Sequence, residues 1–246
     1  MAGHSKWSNI KNKKGKMDVK RGSIFTKIGR EIAVAVKTGG PDPNTNARLR
    51  DVITKAKANN MPNDNINRSI KKASGELNSV NYEEMLYEGY APSGIAVIVE
   101  ALTDNKNRTA GEVRHAFDKN GGNLGTTGSV SYLFKKKGVI VIEKGDFTED
   151  DIMMLILEVG GDDIITEDEV FEIHTMPQDF SAVKDVIEKA GCIILSSQVE
   201  YVPDDLITPN SDSVEQIQKL IDMLEDNDDV QNVYHNADLP MEEEEE

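Results

Sequence analysis

Lys6, Lys11, Lys13, Lys14 and Lys16 lie in a span that also holds Trp7 and is otherwise small and polar, with Gly3, Ser5, Ser8, Asn9, Asn12 and Gly15. These residue types suit a polyanion. Ammonium groups contact phosphates and release their counterions, and an indole offers a face on which a base stacks. Trp7 has an equally good structural use, as an anchor that ties a glycine- and serine-rich arm to the domain behind it. Lys20, Arg21, Lys27, Arg30, Arg48 and Arg50 follow at intervals that suit the outer faces of helices. With Lys6, Lys11, Lys13 and Lys14 they form the expected set of phosphate contacts, and Trp7 is the candidate stacking residue.

No comparable set points to catalysis. His4, His115, His174 and His235 are scattered, without metal-ligand spacing. The acidic clusters Glu149-Asp150-Asp151 and Asp162-Asp163 fall at helix starts or turns, where carboxylates cap helices and favour the helix dipole. No serine, cysteine or lysine is paired with a base at recognisable spacing. The stretch Gly121-Gly122-Asn123-Leu124-Gly125-Thr126-Thr127-Gly128-Ser129 has the composition of a phosphate-cradling loop. It follows a helix and precedes a strand, the reverse of the order such loops need, and it lacks the Gly-Lys-Ser/Thr ending. It reads better as a helix cap and turn. The expectation is a protein that is not an enzyme and takes no cofactor or metal.

The charge distribution supports a polyanion partner despite a net charge of −16. Up to Lys72 there are 17 Lys and Arg against five Asp and Glu; from Ala73 onward there are 11 against 39. A polyanion is drawn to the first part and repelled by the second. The longest apolar runs are far shorter than a membrane span, the first residues form neither a secretory signal nor a transit peptide, and Cys192 stands alone within an apolar run. A cytoplasmic protein with a buried, inert thiol and no membrane partner is expected.

The elements that must position the cations are helices. Residues 18–37 carry Ile24, Phe25, Ile28, Ile32, Ala35 and Val36 at intervals of three and four, with Lys20, Lys27, Arg30 and Lys37 on the opposite side. A second helix follows Pro41-Asp42-Pro43, with Leu49, Val52, Ile53 and Ala56 inward. A third, over 63–74, packs Ile66, Ile70 and Ala73 and exposes Arg68, Lys71 and Lys72. The period then changes. Strands are expected at 84–90, 94–103 and 129–135, with a helix at 108–119 between the last two. The series of strand 139–143, helix 150–159, strands 163–166 and 170–175, helix 180–190 and strand 192–202 is the split βαβ order of a ferredoxin-like domain. The remaining helix 213–224 and strand 230–234 complete the sheet begun earlier. Lys135-Lys136-Lys137-Gly138 and Val202-Pro203-Asp204-Asp205 then read as the two crossings.

The combination of Ala2-Gly3-His4-Ser5-Lys6-Trp7-Ser8-Asn9-Ile10-Lys11, Lys20-Arg21-Gly22, Phe25-Thr26-Lys27-Ile28, Arg48-Leu49-Arg50, Asn60-Met61-Pro62, Tyr87-Glu88-Gly89-Tyr90, Leu102-Thr103-Asp104-Asn105 and Gly121-Gly122-Asn123-Leu124-Gly125 resembles the YebC family. That family includes bacterial proteins described as transcriptional regulators and the mitochondrial translational activator of cytochrome c oxidase. Beyond Val139 the match is mostly one of pattern. Asn12 stands where the family often has histidine, and Ala91 where it often has glycine.

The resemblance implies an α+β protein with an N-terminal three-helix basic domain followed by two ferredoxin-like α+β domains. This agrees with the layout above: a basic helical domain at 1–75, a discontinuous middle domain at 76–137 plus 203–240, an inserted βαββαβ domain at 138–202, and a disordered acidic tail at 241–246. For function it implies nucleic-acid binding in the control of gene expression, as a DNA-binding transcriptional regulator. The alternative it carries is a ribosome- or RNA-associated factor that supports translation of difficult sequences such as proline runs. A reading of another class is a protein-interaction scaffold whose basic region docks an acidic partner.

Overall fold

The computed structural model of the chain describes residues 21–75 and 80–240. The arm that carries Lys6, Trp7, Lys11, Lys13, Lys14 and Lys20, and the expected tail at 241–246, lie outside the described residues.

The three amphipathic patterns form helices α1 (Arg21–Gly39), α2 (Ala47–Ala58) and α3 (Asn63–Ser74). Their apolar stripes meet in one core in which Ile28, Ile32, Ala35 and Val36 pack with Leu49, Val52, Ala56, Met61 and Ile66. Each fully buried aliphatic side chain of this kind stabilises by about 1.5–3 kcal/mol. Asn46 sets the corner between the first two helices. Its side-chain oxygen caps α2 by accepting from Leu49 N at 3.0 Å, while its Nδ2 donates to Ala35 O at 2.7 Å and Gly40 O at 2.8 Å.

After α3 come β1 (Glu83–Tyr90), β2 (Ala96–Thr103), α4 (Lys106–Lys119), β3 (Asn123–Leu124), β4 (Phe134–Glu143), α5 (Glu149–Ile156), β5 (Gly161–Thr166), β6 (Val170–Thr175), α6 (Phe180–Lys189), β7 (Ile194–Pro203), α7 (Ser211–Glu225) and β8 (Val230–His235). The strands make two antiparallel four-stranded sheets, β3-β1-β2-β8 and β5-β6-β4-β7. The chain is therefore a mixed α+β protein with its helical part first. The second sheet has the strand order of the split βαβ, and α5 and α6 pack against it and each other. The first sheet opens instead on the β1–β2 hairpin. It takes its last strand, β8, from beyond the second sheet, and α4 and α7 pack on it.

The largest difference from the expectation set by the sequence lies between the helix α4 and the strand β4. The strand expected at 129–135 is not formed as such: Ser131–Leu133 is a short helical turn, β4 begins at Phe134, the two-residue β3 lies earlier at Asn123–Leu124, and Lys135–Gly138, expected as a crossing, is strand. Phe134 to Lys137 pair with Pro203 to Glu200 of β7, and pairing with β6 begins only at Gly138. That projecting two-stranded end has fewer neighbours than the rest of β4, so it tolerates three consecutive lysines.

Two compact units result. One contains the described residues up to Val130 together with Asn210–His235; the other contains Ser131–Pro209 and residues 236–240. The second unit has its own core of Ile140, Ile142, Ile152, Ile156, Phe171, Ile173, Val183 and Ile187, with Cys192 at its margin. Burial there pushes the Cys192 thiol pKa up.

Candidate nucleic-acid interface

The helical cations divide into two groups. The first is engaged by partners within the same unit, and Lys27 and Arg30 in it face the α/β layer. Arg30 Nη1 donates to Asp229 Oδ1 and, at 3.1 Å, to Leu102 O, and its guanidinium lies 5.5 Å from the centre of the Tyr82 ring. Asp229 is a hub: its Oδ2 also accepts from Arg108 Nη2 at 2.6 Å, Thr109 Oγ1 at 2.6 Å and Thr103 Oγ1 at 3.1 Å. Burial alone would raise this carboxyl's pKa, but the hydrogen bonds from Thr109, Arg108 and Arg30 and the Arg30 charge hold it at about 2. Beside this hub, Lys27 Nζ donates to Glu225 O at 2.6 Å and Ser23 Oγ to Asp228 Oδ1 at 3.0 Å. Lys55 reaches Glu31 at 2.7 Å, and Lys37 Nζ donates to Val80 O at 2.9 Å. Arg48 pairs with Glu84, both side chains being exposed.

The second group points outward. Arg50 and Lys57 on α2, and Arg68, Lys71 and Lys72 on α3, are exposed, and their side chains have no ion-pair or hydrogen-bond partner among the described residues. Arg50 and Lys57 are seven residues apart, and Lys71 and Lys72 follow Arg68 by three and four, so each pair or trio forms one stripe on its helix. The helical segment 21–75 holds 11 Lys and Arg against four Asp and Glu.

Of the sequence-predicted phosphate-binding residues that lie within the described residues, Arg50 is outward and free, and Arg48 is outward in an exposed pair. Lys27 and Arg30 are turned to the α/β layer and occupied by backbone carbonyls and Asp229. The Arg21 side chain lies outside what the structure describes. Lys57, Arg68, Lys71 and Lys72 fall outside the set expected to contact phosphate. Their signal is present in the helical period, which puts Arg68, Lys71 and Lys72 opposite the apolar stripe of α3 and Lys57 on the flank of the α2 stripe.

The glycine-rich stretch is a turn held from beneath. Gly121 and Gly128 have φ of 73° and 86°. The buried carboxylate of Glu88 accepts from Gly128 N at 2.8 Å and Val130 N at 2.9 Å, and Tyr90 OH donates to Ser129 O at 3.0 Å. Among the described residues the histidines do not form a cluster: His115 is exposed, while His174 is buried with Nε2 2.8 Å from Glu172 Oε1. Among the described residues no group of three or more His, Cys, Asp and Glu is arranged to hold a metal ion. No helix among them is long and apolar enough to cross a membrane.

Fold and surface together define a mixed α+β protein whose leading helices present cations outward from an otherwise acidic chain. The chain belongs to the TACO1/YebC family: the family's "TACO1/YebC protein N-terminal domain" matches residues 5–76, and its "TACO1/YebC second and third domain" matches residues 82–237. A protein of Acetivibrio thermocellus named "Probable transcriptional regulatory protein" is 63% identical over 238 residues, covering 96% of this chain and 98% of that one. One of the same name from Clostridium botulinum is 59% identical over 241 residues, with 98% of each chain covered. The crystal structure of a conserved hypothetical protein from Aquifex aeolicus superposes with a TM-score of 0.85 at 45% identity, covering 98% of this chain and 100% of that chain.

Proposed function

We propose that this protein regulates transcription by binding duplex DNA through its outward cations, acting by binding rather than by catalysis. The observation that carries the reading is the free cationic surface of α2 and α3: Arg50, Lys57, Arg68, Lys71 and Lys72, exposed and with side chains unpartnered among the described residues. Cations that satisfy no internal carboxylate are available to phosphates, and each phosphate neutralised adds counterion release to affinity. The names of the relatives support the regulatory role. The acidic remainder repels the nucleic-acid backbone and leaves the helical face as the favoured approach.

A second reading, association with ribosomal RNA in support of translation, is favoured by one observation. Helices α2 and α3 each pack mainly on α1 and little on each other, so they do not form the helix-turn-helix pair that seats a recognition helix in the major groove.

The test is binding of the full chain to a fluorescent DNA duplex and to purified ribosomes across a salt series. Replacing Arg50, Lys57, Lys71 and Lys72 by Ala should leave the melting curve unchanged. The same variant should flatten the plot of log affinity against log salt by about 0.9 for each phosphate it no longer neutralises. Unchanged affinity for both targets would overturn the proposal. Loss of ribosome binding alone would select the second reading.

A further inference from the structure

We propose that Met154 and Leu157 form a docking surface on the second unit for a cationic polypeptide segment that carries apolar side chains. Helix α5 buries Ile152 and Ile156 and packs Met153 and Leu155 partly against the core. Met154 is left 70% exposed, and Leu157, three residues on, is 65% exposed. Residues three apart on a helical path are surface neighbours, so these two make one ridge. The turn after β6 approaches the chain just beyond Leu157: a Cβ built on Gly160 would lie 2.8 Å from Asp179 Cβ, and Met176, which opens that turn, is 49% exposed. Single exposed apolar residues are ordinary on a protein surface, whereas a cluster of large, flexible ones marks a contact site.

Charge selects the occupant. Residues 131–209 and 236–240 hold six Lys against 19 Asp and Glu. Exposed Asp150 precedes Met154 by four residues and exposed Glu158 follows it by four, so the ridge is bracketed by carboxylates along its own axis. Nucleic acid is repelled by this surface. A neutral apolar partner would have to desolvate carboxylates without compensation. A segment of Lys or Arg interleaved with Leu-like residues pairs the carboxylates and covers the ridge, and the adaptable methionine side chains fit varied sequences of that chemistry. The proposal is independent of the nucleic-acid reading, since its residues are on the other compact unit.

The test uses the full-length protein and a fluorescent synthetic peptide of alternating Lys and Leu at helical spacing, with oligolysine of equal charge as comparison. Met154→Ser with Leu157→Ser should weaken peptide binding about tenfold, which is about 1.4 kcal/mol, and leave oligolysine binding unchanged. The separate variant Asp150→Asn with Glu158→Gln, which alters no apolar side chain, should weaken the peptide several-fold and reduce the salt dependence. Equal peptide affinity in the parent protein and in both variants would overturn the proposal, because the peptide would then be held elsewhere by charge. A parent protein that self-associates on a sizing column and becomes monomeric on Met154→Ser with Leu157→Ser would also overturn it, by assigning the ridge to a second copy.

Discussion

Arg30 and Asp229, 199 residues apart in sequence, form a nearly buried ion pair that joins the basic helices to the α/β layer of their unit. The side chains are 15% and 4% exposed. Desolvation of such a pair offsets much of its attraction, so the intact pair adds little net stability, while removal of one member strands the other. Asp229→Ala would leave Arg30, Arg108 and two threonine hydroxyls without their shared acceptor. It should cost about 3–5 kcal/mol, read as a lower urea midpoint. A midpoint within error of the parent protein would show that the hub does not hold the helices in place.

The same carboxylate makes stability pH-dependent. Its pKa is about 2 in the folded chain against an ordinary 3.8, so the folded state favours the charged form. That contribution is complete above about pH 4 and is lost as pH falls through 2, amounting to about 2 kcal/mol. Acid titration of stability should therefore be shallower between pH 4 and 2 in Asp229→Asn than in the parent. Parallel acid limbs would refute the linkage.

The inward turn of Arg30 explains why part of the interface was not legible in the sequence. Ile28, Ile32 and Val36 fix the face of α1 that meets α2 and α3, and the third helix was readable to its ends because Ile66, Ile70 and Ala73 are regularly spaced. Period identifies the polar side of a helix but not what that side meets. For α1 it meets Asp229, Glu225 and Leu102, contributed by distant segments. The lysines of β4 misled for a related reason. Three consecutive charges read as a linker, whereas pairing with β7 alone leaves that end of the strand open enough to carry them. The strands β1 and β2 and the split βαβ series were legible because alternation and helical period change at their borders, whereas the pairing of β1 with β2 was not.

Glu88 should control the order of the glycine-rich turn. Its two oxygens accept from Gly128 N and Val130 N, and a glutamine there can accept with only one. Glu88→Gln should cost about 1–3 kcal/mol and speed hydrogen exchange at those two amides. Exchange rates equal to those of the parent would show that the turn is held by other interactions.

Gly138 lies where β4 meets β6 and the start of α6. A Cβ there would collide with Thr175 Oγ1 and would lie 2.6 Å from Phe180 Cδ2. Gly138→Ala should destabilise the second unit by about 1–3 kcal/mol through overpacking. Cys192 is the chain's one cysteine and lies in that core, so its labelling rate reports the opening directly. Faster thiol labelling in Gly138→Ala is the expected outcome, and an unchanged rate would mean the strand and helix move apart without cost.

The two groups of helical cations should separate experimentally. Lys71 and Lys72 are exposed, with side chains unpartnered among the described residues, so Lys71→Ala with Lys72→Ala should lower nucleic-acid affinity and its salt dependence while the melting curve stays fixed. Arg30→Met should do the reverse in its first effect: it lowers the melting temperature by stranding Asp229, and affinity falls only as the helical unit loosens. Measured side by side at one temperature well below both melting transitions, the Lys71/Lys72 variant should be the weaker binder. If Arg30→Met were instead the weaker binder at that temperature with its fold intact, Arg30 would have to leave Asp229 to reach phosphate, and the division between inward and outward cations would fail.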